Sequence, residues 1–398
     1  MKYLVIIGSG LTDQPIAHKD NKTVLQMAET PNLDRLAAEG RTGSVQTVPE
    51  NRAPGNEVSL LSLLGYDPEK YSAGAGEFVA AGLGIAPKED EISLCCDFVN
   101  LQSSHNDMVM KDYTAGQISS EDAGVLLNAL QEQIADAGAA FHSARGYRNV
   151  LTLKNPPLKN GLTPPDELIG EGIRQYMPSG APELVSIMSQ AQIILHNHAY
   201  NKIRKRKGRD TVNSIWLSGN GPRPALPSFS GRRGLNGAVV AASPLFLGVG
   251  QCAGLHPVAV AGATGFMDTD YRGKVDAALR ELENRDLVYL HVSAPEMVSM
   301  QGRVDDKVLA VEDFDRHVVG AILQALPDGK DVKILLTVNH MCSANLMKYT
   351  RDPVPFAVFP AVSGADSVRR FDEAIVTEGS EHFAGGPALM DAFFKGEL

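Results

Sequence analysis

Hydrophobic positions at the start of the chain run without polar alternation, Leu4-Val5-Ile6-Ile7 between Tyr3 and Gly8. Such a run suits a strand buried on both faces of a parallel sheet. Similar runs recur at Ala238–Ala242, Leu287–Val292 and Ile334–Val338, with shorter ones at Ser214–Leu217 and Val258–Val260. Helical spacing separates them, most clearly at Gly273–Asn284 and Lys307–Ala325. Strands alternating with helices at this spacing predict βαβ units and a mostly parallel α/β sheet. The run Ile334–Val338 breaks into the polar pair Asn339-His340. Ligands of open α/β sheets bind at the carboxyl ends of such strands.

Local punctuation adds further elements. Thr30 as N-cap, Pro31 in the first turn, Leu33, Leu36 and Ala37 on one face and Gly40 as stop predict a helix. Asn56 reads as the N-cap of the next helix, which Gly65 and Pro68 end. From about Lys88 the pattern changes: a strand over Ser93–Leu101, an amphipathic helix over Ser120–Ala135 and a strand over Tyr147–Leu153. Loops rich in Pro and Gly follow, at Asn155–Pro165 and Met177–Pro182. The expected layout is a core domain from residues 1–87 and 183–398, with helices on both faces of its sheet. A smaller α+β domain, 88–182, is inserted into it. Pro182–Lys207 reads as one long helix ending in Lys202, Arg204, Lys205, Arg206 and Lys207. These cations suit a solvated helix end facing the negative macrodipole terminus; a patch for phosphate or an acidic partner is the alternative.

Composition narrows the function classes. The chain has 398 residues, 43% of them hydrophobic, and a formal net charge of −10. That charge argues against general nucleic-acid binding. No apolar run approaches membrane-spanning length, and the short N-terminal run reads as a first strand rather than a signal peptide, so a cytoplasmic protein is expected. Cys95, Cys96, Cys252 and Cys342 lack metal-ligand spacing and read as reduced thiols. Gly8-Ser9-Gly10 lacks the spacing of a dinucleotide fingerprint. His196 and His198 fall on different helix faces, which excludes a paired metal site.

Several ordered segments carry a resemblance. They are Thr30-Pro31-Asn32-Leu33-Asp34, Leu61-Ser62-Leu63-Leu64-Gly65-Tyr66-Asp67-Pro68 and Asp112-Tyr113-Thr114-Ala115-Gly116. Further on come Asn213-Ser214-Ile215-Trp216-Leu217, Gly262-Ala263-Thr264-Gly265, His291-Val292-Ser293-Ala294-Pro295 and Asp352-Pro353-Val354-Pro355. Along nearly its full length the chain resembles the archaeal-type 2,3-bisphosphoglycerate-independent phosphoglycerate mutases of the alkaline phosphatase superfamily. The resemblance implies an alkaline-phosphatase-like sheet with an inserted substrate domain. It also implies two divalent metals, such as manganese or zinc, flanking a serine that carries the phosphoryl group in transit.

Carried over one at a time, the implied site residues are mostly replaced. A first ligand in a Gly-Asp-Gly turn becomes Ser9, and the nucleophile of a Pro-Gly-Ser-Asp turn becomes Asn56, followed by Glu57. An Asp and a His four residues apart become Glu296 and Met300. An Asp-His pair becomes Asn339-His340, and a last histidine becomes Tyr349. Around the substrate, an Arg in Gly-Arg-Gly becomes Ala75, an Arg near Leu94 becomes Cys95, and a His after Gly116 becomes Gln117. Only His340 is unchanged and only Glu296 remains a carboxylate, too few ligands for two hard cations. The expectation is therefore no bound metal, no intact catalytic residue and a binding, regulatory or scaffold role toward a small phosphorylated ligand, a protein partner or a second copy. Each replacement also has a plain structural role: turn and cap for Ser9 and Asn56, apolar filler for Met300, packing for Tyr349 and a hydrogen-bonded turn for His340. Two functional alternatives stay open: ordinary mutase activity, and a metal-free chemistry using Glu57, Glu296, His340 and Tyr349. Arg148, with His142, completes a candidate residual pocket for an anion.

Overall fold

The chain, seen in a computed structural model, is described over residues 1–104, 107–134, 138–326, 331–362 and 364–398. It divides into two units, Met1–Ser72 with Ala225–Leu398, and Ala73–Pro224.

The first unit is organised on an eight-stranded sheet. Its order is Glu381–Phe383, Arg41–Val45, Val354–Phe359, Val332–Thr337, Lys2–Gly8, Leu287–Val292, Gly237–Ala241 and His256–Ala259. Its neighbours pair in parallel except on either side of Val354–Phe359, which runs antiparallel to both of its partners. The fold is thus mixed α/β with a mostly parallel central sheet. Leu4, Val5, Ile6 and Ile7 are wholly buried, each such side chain contributing roughly 1.5–3 kcal/mol of burial. Gly8 stands opposite Val292 and Ile7 opposite Thr337, so three adjacent parallel strands finish level.

The Asn56–Leu63 helix ends at Leu64, with Gly65 at a φ of 79°. The amides of Gly65 and Tyr66 turn back to the carbonyls of Ser62 and Leu61 at 2.9 Å each. That paired geometry needs a left-handed residue, which glycine supplies without strain. At the other end Gly55 is the N-cap and Asn56 the first helical residue. The cap role read for Asn56 is corrected, because its side chain turns away from its own helix.

Two other helices depart from their expected form. Thr30 does cap Pro31–Glu39 by position, yet its buried hydroxyl makes no hydrogen bond among the described residues. Asp315 does the capping from a distant segment. Its carboxylate accepts from the Leu33 amide at 2.7 Å and from Asn32 Nδ2 at 2.7 Å. The segment read as one helix, Lys307–Ala325, is Val304–Phe314, a π turn over Asp315–Val319 and Gly320–Ala325. A π turn is a local widening that re-aims a side chain, and here it presents Asp315 to the other helix. A Cβ at Gly320 would meet Asn32 Nδ2 at 2.9 Å and push that side chain from its bond to Asp315.

The second unit holds a five-stranded antiparallel sheet. Its spine is Glu91–Ser104, which pairs in turn with Arg148–Lys154, Ser214–Ser218 and Asp107–Asp112, while Ala140–Arg145 adds to Arg148–Lys154. The Ser120–Ile134 helix is described to Ile134, and Ala135 lies outside the described residues. Ser214–Leu217 therefore does not belong to the parallel sheet as its apolar run suggested. The unit is also wider than 88–182, because Ser214–Ser218 and the Ala75–Gly82 helix both attach to the spine. Glu77 of that helix accepts the Ser93 amide at 2.7 Å. The expected single helix Pro182–Lys207 is two, Pro182–Asn197 and Ala199–Arg206. His198 is extended between them and its Nδ1 accepts the Tyr200 amide at 3.2 Å. Of the basic run, Arg204 is buried and donates to the carbonyls of Asp210 and Ala115 at 2.7 and 3.0 Å, while Lys202, Lys205, Arg206 and Lys207 are exposed.

Asp315→Ala should destabilise the protein by about 1–2 kcal/mol, the range for losing a helix cap. A urea unfolding curve with an unchanged midpoint would contradict the capping role.

Candidate functional site

The level ends of the three parallel strands gather the site. Ser9 follows Lys2–Gly8, Glu296 lies in the first turn of Ala294–Ser299 after Leu287–Val292, and Asn339 and His340 follow Val332–Thr337. A two-residue pairing of Cys342–Ser343 with Lys348–Tyr349 folds Tyr349 back over them, so that its ring centroid stands 4.2 Å from that of His340. Gly10, at a φ of 75°, lets the first loop pass against the Glu296 backbone where a Cβ would clash.

These side chains form one hydrogen-bonded network. Glu296 Oε1 accepts from Asn56 Nδ2 and from the Tyr349 hydroxyl, both at 2.7 Å. Asn56 Oδ1 accepts from Asn339 Nδ2 at 2.7 Å, and the same nitrogen reaches His340 Nε2 at 3.2 Å. Nε2 is then an acceptor, which places the imidazole proton on Nδ1. His340 Nδ1 and Asn339 Oδ1 are buried without hydrogen-bond partners among the described residues. Burial holds the His340 pKa below its ordinary value, against the pull of the Glu296 carboxylate. The imidazole is therefore neutral at physiological pH.

Other expected site residues point elsewhere. Ser9 Oγ bonds His291 Nε2 at 2.7 Å, and the Ser9 carbonyl accepts the Glu296 amide at 3.0 Å. Met300 is buried one helical turn after Glu296, consistent with filling space. Glu57 takes a long contact of 3.5 Å from Ser72 Oγ. In the second unit, the Arg148 guanidinium lies 5.3 Å from the Tyr147 ring centroid. Burial pushes the neighbouring Asp97 carboxyl up to about 7, against the Arg148 charge. His142 Nε2 bonds Thr152 Oγ1 at 2.9 Å, and Gln117 is exposed. Of the residual pocket, Glu296, His340 and Tyr349 come together, Glu57 contacts Ser72, and Arg148 belongs to the second unit. Among the described residues no three His, Cys, Asp or Glu side chains gather as a metal-holding group.

One part of the site was not read from the sequence. Lys307 is wholly buried, and its ammonium donates to the Thr12 carbonyl at 2.9 Å, Asp13 Oδ2 at 2.9 Å and the Cys342 carbonyl at 2.7 Å. Asp13 also accepts the Ala344 amide at 3.1 Å. Glu373 accepts from the Asp13 amide at 2.9 Å and from Thr23 Oγ1 at 2.5 Å. These contacts tie the loop after the first strand to the loop after Asn339-His340. A signal existed: Lys307 occupies the apolar stripe set by Val304, Ala310 and Val311, where a lysine must find buried partners.

Comparison with known proteins fits this geometry. A family model described as 2,3-bisphosphoglycerate-independent phosphoglycerate mutase matches residues 37–201. The chain is 38% identical to the 2,3-bisphosphoglycerate-independent phosphoglycerate mutase of Methanothrix thermoacetophila, covering all of both chains. It is 33% identical to 2,3-bisphosphoglycerate-independent phosphoglycerate mutase 1 of Archaeoglobus fulgidus, over 94% of this chain and 92% of that one. Among solved structures, one from Pyrococcus horikoshii superposes with a TM-score of 0.77 at 25% identity, over 99% of this chain and 96% of that one. The cofactor-independent phosphoglycerate mutase of Thermoplasma acidophilum superposes with a TM-score of 0.57 at 26% identity, over 99% of both chains. The chain belongs to the family of 2,3-bisphosphoglycerate-independent phosphoglycerate mutases.

Lys307→Met should cost about 3–5 kcal/mol, because it leaves the Asp13 carboxylate buried and unpaired. A denaturation midpoint within error of the parent would refute that pairing. Burial also pushes the Glu373 carboxyl from 4.5 up to about 7. The folded state then holds a proton that the unfolded state has released, so this contribution is full below about 4.5 and lost as pH rises through about 7. Glu373→Gln should therefore shrink the fall in melting temperature across that window, while the Asp97 contribution persists. An unchanged pH profile would argue against it.

Proposed function

We propose that this chain keeps the family's fold while having given up its two-metal phosphoryl transfer, and that it acts in the cytoplasm as a binding, regulatory or scaffold protein. The observation carrying this reading is the network itself. Asn56, Glu296, Asn339, His340 and Tyr349 stand where the resemblance puts the nucleophile and ligands, and they hydrogen-bond to one another. Two amide nitrogens, which donate and cannot ligate a cation, lie between the remaining acceptors. One carboxylate and one imidazole do not fit a pair of divalent cations, whose binding follows the number and charge of their ligands. Asn56 also lacks the hydroxyl on which a phosphoryl group would be carried.

The pattern of loss supports a role beyond drift. Scaffold features such as the Gly65 turn, the Asp315 cap and the Lys307 clamp are intact, while the ligand positions are replaced. Ordinary mutase activity is the second reading, and family membership is what favours it; fold alone does not carry function.

A coupled phosphoglycerate mutase assay on the purified full chain, with and without manganese, tests the proposal. The expected result is no turnover above a manganese-only blank and a melting temperature that a chelator leaves unchanged. Manganese-dependent turnover abolished by His340→Ala would overturn it.

A further inference from the structure

We infer that a pocket lined by the start of the Tyr271–Asn284 helix and by the π turn at Asp315–Val319 binds a small nucleotide, a nucleoside monophosphate. The pocket has a volume of about 460 Å³ and belongs wholly to the first unit. That volume falls within the range of small-molecule sites. Six of its lining residues carry the argument: Asp270, Tyr271, Arg272, Arg316, His317 and Gln324. No residue of the Glu296 network lines it, so the inference stands apart from the preceding reading.

The π turn explains part of the lining. It sends Asp315 to the Pro31–Glu39 helix and leaves the next two residues, Arg316 and His317, exposed at the pocket. The His317 ring stacks on that of Tyr271, with centroids 6.1 Å apart and planes 28° from parallel. Together they give the pocket an aromatic wall, and nucleobases stack on aromatic side chains.

Charge selects what accompanies the base. Two guanidinium groups and one carboxylate line the pocket. Arg272 pairs with Asp276 at 2.9 Å, and the Asp270 carboxylate accepts the Gly273 amide at 2.8 Å as helix cap. Arg316 has no acidic or hydrogen-bonding partner among the described residues. The guanidinium fork matches the oxygens of a phosphoryl group. A bare phosphate would leave most of the volume empty and would bring no donor to the Asp270 carboxylate. The hydroxyls and base edge of a nucleotide supply such donors. They also supply partners for the Gln324 amide, which has none among the described residues.

The test is titration calorimetry of the full chain in phosphate-free buffer with AMP, GMP, CMP and UMP. At least one should bind saturably at one site per chain. Its nucleoside, glycerol 3-phosphate and inorganic phosphate should each bind at least roughly tenfold more weakly. Arg316→Glu should weaken nucleotide binding by roughly tenfold or more, since it sets a carboxylate against the phosphoryl group. Ala321→Phe, which adds a ring to another lining residue, should block binding. Lys205→Glu, in the exposed basic run of the second unit, should leave it unchanged. A melting temperature near the parent's establishes that each variant is folded; should Ala321→Phe fail to fold, the exposed Arg316→Glu still decides.

Absence of binding by all four nucleotides would overturn the inference. So would equal affinity for glycerol 3-phosphate or phosphate, or binding undiminished in Arg316→Glu. Mutase turnover would remove the proposed function and leave this site standing, whereas absence of nucleotide binding would do the reverse.

Discussion

The Lys307 ammonium is the interaction on which the candidate site depends. It spends its three donors on the Thr12 carbonyl, the Asp13 carboxylate and the Cys342 carbonyl. Those three acceptors belong to the loops leaving the first strand and following Asn339-His340. Held from one point inside the protein, the loops cannot shift relative to the strands beneath them. Glu373 continues the same connection outward to Thr23 and the Asp13 amide. The arrangement ties the two loops together through protein groups alone.

Within that frame the site has the character of a self-satisfied polar cluster. Asn56 uses its amide as both donor and acceptor and Asn339 donates from Nδ2 to Asn56 and His340, linking a carboxylate at one end to a neutral imidazole at the other. Buried networks of this kind are stable only when their members are paired. Here most are, and the exceptions among the described residues are Asn339 Oδ1 and His340 Nδ1. Net charge at the cluster falls on Glu296 alone.

Much of this was legible in the sequence, for identifiable reasons. The fully buried strands Lys2–Gly8, Leu287–Val292 and Val332–Thr337 announced themselves as apolar runs, and Asn339-His340 as the polar break after one of them. Gly65 marked a helix end because its positive φ suits glycine, and Gly40 because a Cβ there would clash with the Leu36 and Val358 carbonyls. Tertiary context overrode the local pattern elsewhere. Ser214–Ser218 looks like a core strand but joins an antiparallel sheet, since an apolar run does not encode its partner. The break at His198 has no glycine or proline to signal it. Asp315 was invisible as a cap because it lies some 280 residues from the helix it serves, and no short-range motif spans that distance.

The pairing of Lys2–Gly8 carries a consequence for synthesis. That strand lies between Leu287–Val292 and Val332–Thr337, both of which follow the whole middle segment in the chain. A nascent chain leaving the ribosome therefore exposes Leu4-Val5-Ile6-Ile7 with neither neighbour yet made. The middle segment, Ala73–Pro224, has its five strands complete long before then. Domains tend to fold as units in order of emergence, which would let the internal unit form while the two outer arms wait for each other. Residues 4–7, made before the middle segment, would thus be covered after it, and their protection in the interval falls to whatever binds unpaired apolar strands in the cell.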